Sequence, residues 1–256
     1  MATIAFSAEK GGSCKTTLSL HLAWWKAKIG ERVLLVDLDS QASATRVLLK
    51  NQLPESGHIG HVLLRMAEAK KVIVRGSGGV DLLPSHPELS GAIQLLSKEL
   101  GPERRLSLLL GPLAHEYSSI VLDCPPGRSL LLLGALLASQ AAVVPVVPDL
   151  FGIHGLAGLL ELLPLVNRDL GGHCSFTGAI VSRATRTKLS NEAVGQLKKD
   201  LGSKLLAVIP DSVKVSESLA ASVPAWAHAP GSPVAEALLL ACQSIHGSEG
   251  GLSNVA

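Results

Sequence analysis

Residues 8–20 read AEKGGSCKTTLSL, Ala8 to Leu20, and the fold turns on how this stretch is understood. Thr3–Ser7 ahead of it is a short apolar run, and Lys15–Ile29 behind it has the length and composition of a helix. A glycine-bearing loop that leaves a strand and opens a helix is the setting of a phosphate cradle. Gly11 and Gly12, followed by Ser13, can turn successive backbone N–H groups toward an anion. The helix N-terminus adds its positive dipole end. In that setting Lys15 meets the β- and γ-phosphate oxygens, the Thr16 hydroxyl ligates Mg2+ and Thr17 reaches the α-phosphate. Two features are unusual: Lys10 stands ahead of the glycine pair, and Cys14 occupies the place where such loops carry glycine. The plain alternative is a lysine-containing turn before a helix.

Outward from the loop, short apolar runs alternate with amphipathic stretches. Val33–Asp37, Val80–Leu83, Ile120–Asp123, Ala142–Val147, Thr177–Val181 and Leu205–Ile209 read as strands. Several are continuously apolar, as strands covered on both faces must be. Pro87–Leu100, Glu103–His115, Ser129–Ser139, Ile153–Val166 and Ser190–Leu201 read as helices. This order predicts an α/β, doubly wound, mostly parallel sheet with helices on both faces and ligands outside the carboxyl ends of the strands. Gly30 is a helix stop, and Arg75–Gly79 (RGSGG) is a turn, because no helix follows it. With no linker in view, residues 1–246 are expected to form one domain, and 247–256 (GSEGGLSNVA) a flexible tail.

Composition narrows the classes further. Of 256 residues 47% are hydrophobic but only 3% aromatic, so the core must be built from Leu, Val, Ile and Ala. A net charge of +2 is too mild to announce nucleic-acid binding, which therefore needs a local cluster. Cys14, Cys124, Cys174 and Cys242 form no CxxC pair, which suits reduced thiols in the cytoplasm. The first residues lack the pattern of a signal peptide. Ser129–Pro148 is long enough to span a bilayer, but Gln140, Pro145 and Pro148 favour a buried helix followed by a buried strand.

Two more stretches extend the motif. Val33–Thr45 (VLLVDLDSQASAT) puts Asp37 and Asp39 at a strand's carboxyl end, where they can order Mg2+ or an attacking water. Taken alone this pair is weak, since turns after strands favour Asp. Ser118–Pro126 (SSIVLDCPP) is an apolar strand ending in Asp123, the arrangement of a Walker B carboxylate that holds Mg2+ through water. Pro125–Pro126 stiffens the loop beyond.

Together, KGGxxKTT, DLDxQxxAT and the strand ending DCPP resemble the ParA/MinD family of deviant-Walker ATPases, ParA-type partition ATPases above all. Thr185–Val194 (TRTKLSNEAV) and Val208–Ala225 (VIPDSVKVSESLAASVPA) resemble later ParA segments in the same order, with the likeness weakest from Leu53 to Glu116. The resemblance implies an ATP-bound homodimer in which Lys10 crosses to the partner's phosphates. It also implies that Asp39 positions the hydrolytic water, that Asp37 and Asp123 support Mg2+, that Gln41 lies in switch I, and that Pro210 and Asp211 border the adenine. A cation supplied in trans offsets charge only when the dimer closes, which lets nucleotide control assembly.

The chain departs from the family pattern in three places. If the Cys14 position needs positive φ, a non-glycine residue there costs on the order of 1 kcal/mol, which predicts weakened or slowed ATP use rather than its loss. A thiol at a helix N-terminus beside Lys15 is also expected to ionise more readily, which invites redox control, although a small residue that merely fits is the simpler account. Ser40 replaces a proline, and Val147–Pro148–Asp149 stands where the family has Gln-x-Glu.

The function implied is partition of plasmid or chromosome. The ATP dimer would bind nonspecific DNA on the nucleoid, and a ParB-like partner would trigger hydrolysis and release. Arg183, Arg186, Lys188, Lys198, Lys199, Lys204 and Lys214 outnumber the acids of that segment and supply the candidate patch, with Arg186 foremost. An ordinary solvated face is the alternative. A second reading keeps the ATPase and changes the cargo to a protein assembly. A membrane-cycling switch is disfavoured because Val234–Ile245 is apolar without Lys or Arg. An iron–sulfur reductase lacks the cysteines it needs. Of Trp24 and Trp25, one ring is expected in the core and one at the surface. The nine histidines show no metal spacing on a single helix, and Asp149 is expected to be solvated.

Overall fold

A computed structural model describes residues 2–54 and 57–249, and the Glu249 side chain is not described. Its strands are β1 (Ala2–Phe6), β2 (Val33–Asp37), β3 (Val74–Arg75), β4 (Asp81–Leu83), β5 (Ser119–Asp123), β6 (Ala141–Val146), β7 (Ser175–Ala184) and β8 (Leu205–Pro210). They form one eight-stranded sheet in the order β3-β4-β2-β5-β1-β6-β7-β8. All pairings are parallel except β3 with β4. The early helices are α1 (Lys15–Lys28), α2 (Ser43–Leu48), α3 (Ile59–Leu63), α4 (Ala69–Val72), α5 (Leu89–Leu96) and α6 (Arg105–Leu110). The later ones are α7 (Leu130–Ala138), α8 (Leu150–Leu170), α9 (Lys188–Leu201), α10 (Val213–Ala220), α11 (Ala225–His228) and α12 (Pro233–Glu249). The doubly wound, mostly parallel architecture expected from the sequence is the one found.

Successive strand residues face opposite sides, so each central strand feeds two cores. Ile4, Phe6, Val33 and Leu35 pack with α1 and α12, whereas Ala5, Leu34, Val36 and Leu122 pack beneath α5–α8. Both sets are fully buried, and each such aliphatic side chain contributes roughly 1.5–3 kcal/mol. This explains why β2 and β5 read as unbroken apolar runs until their last residue, an aspartate.

The Ser129–Pro148 stretch divides into α7 and β6, as its proline pattern implied. Helix α8 is itself long and apolar enough to cross a membrane by length and composition. Here it is one flank of the sheet: Gly155, Leu156, Leu159, Leu163 and Val166 form a buried stripe against β6, β7 and α7.

Several local expectations change. Glu103–His115 is broken into α6 between two short 3-10 turns, because Gly111–Pro112 interrupts helical bonding. Both tryptophans are buried. Trp24 donates to the Ser77 carbonyl at 3.2 Å, and a Cβ on Gly78 would lie 2.3 Å from its ring, so the RGSGG turn is a lid over this indole. Trp25 meets the His246 ring edge-on. Residues 247–249, assigned to the tail, continue α12, and 250–256 lie outside the described residues.

Candidate functional site

Parallel pairing brings three strand ends level. Phe6 of β1 pairs with Asp123 of β5, and Asp123 pairs with Asp37 of β2, so both aspartates emerge at one edge beneath the loop that follows β1. That loop and α1 line a cavity of about 640 Å3 together with Asp39, Gln41, Pro126, Arg183, Pro210 and Asp211. Gly11 to Thr17 all border it. Ser182 on β7 donates to the Ser13 carbonyl at 3.0 Å and fastens the loop to the sheet.

Gly12 sits at φ 75°, and Cys14 is left-handed at φ 69°, ψ 24°. The position therefore does demand the backbone that glycine adopts freely, and the cysteine bears a strain on the order of 1 kcal/mol. The thiol does not ionise more readily than usual. Burial pushes its pKa up, outweighing Ser182, Arg183 and Thr17, which reverses the expectation of a reactive thiolate.

Asp37 and Asp123 are completely buried, and burial raises both carboxyls, with the charge of Asp39 adding to the effect at Asp37 and those of Asp37 and Asp39 at Asp123. Both Asp123 oxygens lack a hydrogen-bond partner at ordinary distance, although Thr16 lies close enough to lower its pKa. Lys15 is buried nearby, is pushed down by desolvation and donates to the Lys10 carbonyl at 3.4 Å. The unpartnered Asp123 oxygens beside the Thr16 hydroxyl, with Asp37 level with them on the next strand and already bonded to Asp39 and Thr45, are a donor set suited to a hard dication.

Lys10 does not line the 640 Å3 cavity. Its ammonium lies 2.9 Å from Asp149 and 5.5 Å from the centre of the Phe151 ring. Asp149 is thus paired rather than merely solvated, and it also accepts from Gly152 N–H at 2.7 Å to cap α8. Pro210 and Asp211 also border the cavity.

The basic residues of the 183–214 segment are not one patch. Arg183 points at the cavity and pairs with Asp211 at 3.1 Å. Arg186, Lys188 and Lys214 are exposed near the carboxyl ends of β7 and β8. Lys198 and Lys199 lie at the other end of α9, about 16 Å away at 1.5 Å per residue. Lys204 joins them there, bonded to the Phe176 carbonyl at the start of β7. A helix returning antiparallel to its strand separates residues that the sequence places side by side.

Among the described residues, the fold also gathers His58, His61 and Glu88, whose ligand-type atoms lie within 4.8 Å of one another, with His86 stacked on His58. Sequence spacing did not foretell this group. Nδ1 of His58 accepts from Gly60 N–H, Nδ1 of His61 from His58 N–H and Nδ1 of His86 from Glu88 N–H. The neutral rings therefore carry their protons on Nε2 and present N–H groups, not lone pairs, so the trio caps chain turns.

A parallel sheet whose phosphate loop overhangs two strand-end carboxylates defines a P-loop nucleotide-binding ATPase. Comparisons with known proteins agree. Residues 1–174 match the AAA_31 family model, described as an AAA domain. The chain is 36% identical to the chromosome-partitioning ATPase Soj of Thermus thermophilus, over 91% of each chain. It is 33% identical to the sporulation initiation inhibitor protein Soj of Bacillus subtilis, over 92% of this chain and 94% of that one. An ATP complex of McdA from Cyanothece shares the fold with a TM-score of 0.87 at 20% identity, covering 98% and 96% of the two chains. The chain belongs to the ParA/MinD family of partition-type ATPases.

Proposed function

We propose that this protein is a Mg2+-dependent ATPase of DNA partition, closing as an ATP-bound homodimer and binding nonspecific DNA in the cytoplasm. The observation that carries the reading is the division between its two loop lysines. Lys15 is buried in the cavity of its own chain, whereas Lys10 stands outside it, half-exposed, on a surface shared with Asp149 and Phe151. A lysine so placed is available to a second molecule's phosphates.

In this reading the loop amides of Gly11 to Thr17 hold the phosphates, and Lys15 neutralises their charge. Thr16, Asp37 and Asp123 would hold Mg2+, which supplies Lewis acidity at the phosphate oxygens. Asp39 orients the attacking water, and Pro210 and Asp211 flank the base. Arg186, Lys188 and Lys214 contact DNA phosphates, with Lys198 and Lys199 outside that immediate footprint. A ParB-like partner stimulates hydrolysis, and the Cys14 strain makes turnover slow.

Light scattering after size exclusion tests the reading, on wild type and Asp39→Ala with ADP or ATP plus Mg2+. A dimer of Asp39→Ala with ATP alone supports it, and monomers under every condition overturn it. DNA retention should fall steeply with salt and be lost at low salt in Arg186→Glu. Unchanged retention would remove Arg186 from the interface.

A further inference from the structure

Asp39 is gripped from a direction that no motif marks. Its N–H donates to Asp37 Oδ1 at 3.1 Å, and its carbonyl accepts from the Ser85 hydroxyl at 2.7 Å. Ser85 N–H donates to Thr45 Oγ1 at 2.8 Å. Thr45 in turn donates to Asp37 Oδ2 from both its N–H and its hydroxyl, each at 2.8 Å. The four residues close a ring: Asp37, Thr45, Ser85, Asp39 and back to Asp37. Asp37, Thr45 and Ser85 are wholly buried.

Each proton in the ring has a single destination. The Thr45 hydroxyl gives its hydrogen to Asp37, which leaves its lone pairs for Ser85 N–H. The Ser85 hydroxyl gives its hydrogen to Asp39, whose carbonyl also accepts from Ala42 N–H. Gln41 N–H occupies Asp39 Oδ1 at 2.9 Å, so Oδ2 is the oxygen left to face the cavity. A buried, fully satisfied network of this kind fixes one geometry, and a missing member leaves a polar group unpaired.

We propose that Ser85 and Thr45 are positioning residues for hydrolysis, holding the Asp39 carboxylate at the water site through this ring. The inference rests on the assignment of Asp39 in the preceding subsection. Ser85 enters from the loop after β4, so the ring also ties the segment after β2 to one that does not line the cavity. Its contribution is to orientation, so it acts on turnover and leaves nucleotide affinity alone.

The test compares Ser85→Ala and Thr45→Val with the hydroxyl-keeping Ser85→Thr and Thr45→Ser. ATP turnover, KM and equilibrium ATP binding are measured alongside wild type and Asp39→Ala. The expected result is a fall in kcat of about tenfold in Ser85→Ala with binding within about twofold of wild type, and in Thr45→Val, which also unpairs Asp37, a fall in kcat at least as large, with recovery in Thr45→Ser. Hydrogen exchange gives a readout free of activity: amides 39–44 should exchange at least about tenfold faster in Ser85→Ala, with the rest of the sheet unchanged. Slowed turnover that merely tracks a general loss of protection, or raised KM with unchanged kcat, overturns the proposal. Unchanged exchange at 39–44 does the same. An inactive wild type, or full turnover in Asp39→Ala, would instead fail the assignment of Asp39, and exchange would still decide whether Ser85 fixes that segment.

Discussion

The ammonium of Lys10 and the carboxylate of Asp149 meet at 2.9 Å across 139 residues of sequence, joining the phosphate loop to the start of α8. The pair holds within one chain the lysine that the proposed dimer needs between two. Asp149→Asn keeps the α8 cap and removes the charge. Both side chains are substantially exposed, so the pair is weak, and the ATP concentration for half-dimerisation should fall only about two- to fivefold. Sedimentation against ATP concentration measures it.

Cys14→Gly relieves a left-handed backbone at φ 69°. The strain is already present in the ligand-free chain, so the expected gain, on the order of 1 kcal/mol, is seen as a higher unfolding free energy in urea. Because burial raises the thiol pKa, iodoacetamide should alkylate Cys14 more slowly at neutral pH than it does a free cysteine. Faster labelling would restore the redox reading.

Two buried histidines should each take stability away on mild acidification, against the gain that the raised carboxyls of Asp37 and Asp123 bring over the same range. His21 is wholly buried: its Nδ1–H meets the Thr17 carbonyl at 2.6 Å, and its Nε2 accepts from Ala225 N–H. Burial pushes its pKa down to about 4. The unfolded chain then binds the proton first, so stability is intact above the ordinary value near 6.5 and declines below it. The loss from this group reaches about 2 kcal/mol at pH 5. His58 shifts the same way, through burial and then His61, and its protonation would also uncap α3. Urea unfolding from pH 7.5 to 5 isolates the histidine contribution by difference: His58→Asn, which keeps a capping side chain, should lose less stability over this range than wild type, or gain more.

Asp123→Asn should stabilise the protein when Mg2+ and nucleotide are withheld. The folded pKa of this buried carboxyl lies above its ordinary value, so the charge stabilises nothing at neutral pH and works against folding. Removing it should raise the melting midpoint by at least about 2 °C. The same variant should lose the further stabilisation that Mg2+ gives in the presence of ATP. A lower midpoint without ligand would contradict the picture of two repelling carboxylates.

The sheet and the cradle were legible because both depend on local pattern: apolar runs of strand length, a glycine loop, and aspartates where the runs stop. Ser85 was not legible, because its partners Thr45 and Asp39 lie about 40 residues away and its own surroundings follow no motif. The histidine trio was hidden for the same reason: His86 reaches His58 only once the loop after β4 folds against α3. The basic segment misled in the opposite sense, since closeness in sequence hid a helix that carries Lys198 and Lys199 to the far edge. Lys10 was recognised, but its pairing with Asp149 was not, because 139 residues separate the two and only the sheet brings them together.

The level ends of β1, β2 and β5 have a quality-control consequence. All three strands are greasy on both faces, so sliding β5 one step along its neighbours would still bury oil against oil and expose little to betray the error. Such a misaligned molecule would put Leu122 where Asp123 belongs and could not bring Asp123 level with Asp37. If Asp37 and Asp123 hold the cation as proposed, ATP turnover in a purified sample reports correct strand alignment at the centre of the sheet as well as an intact loop.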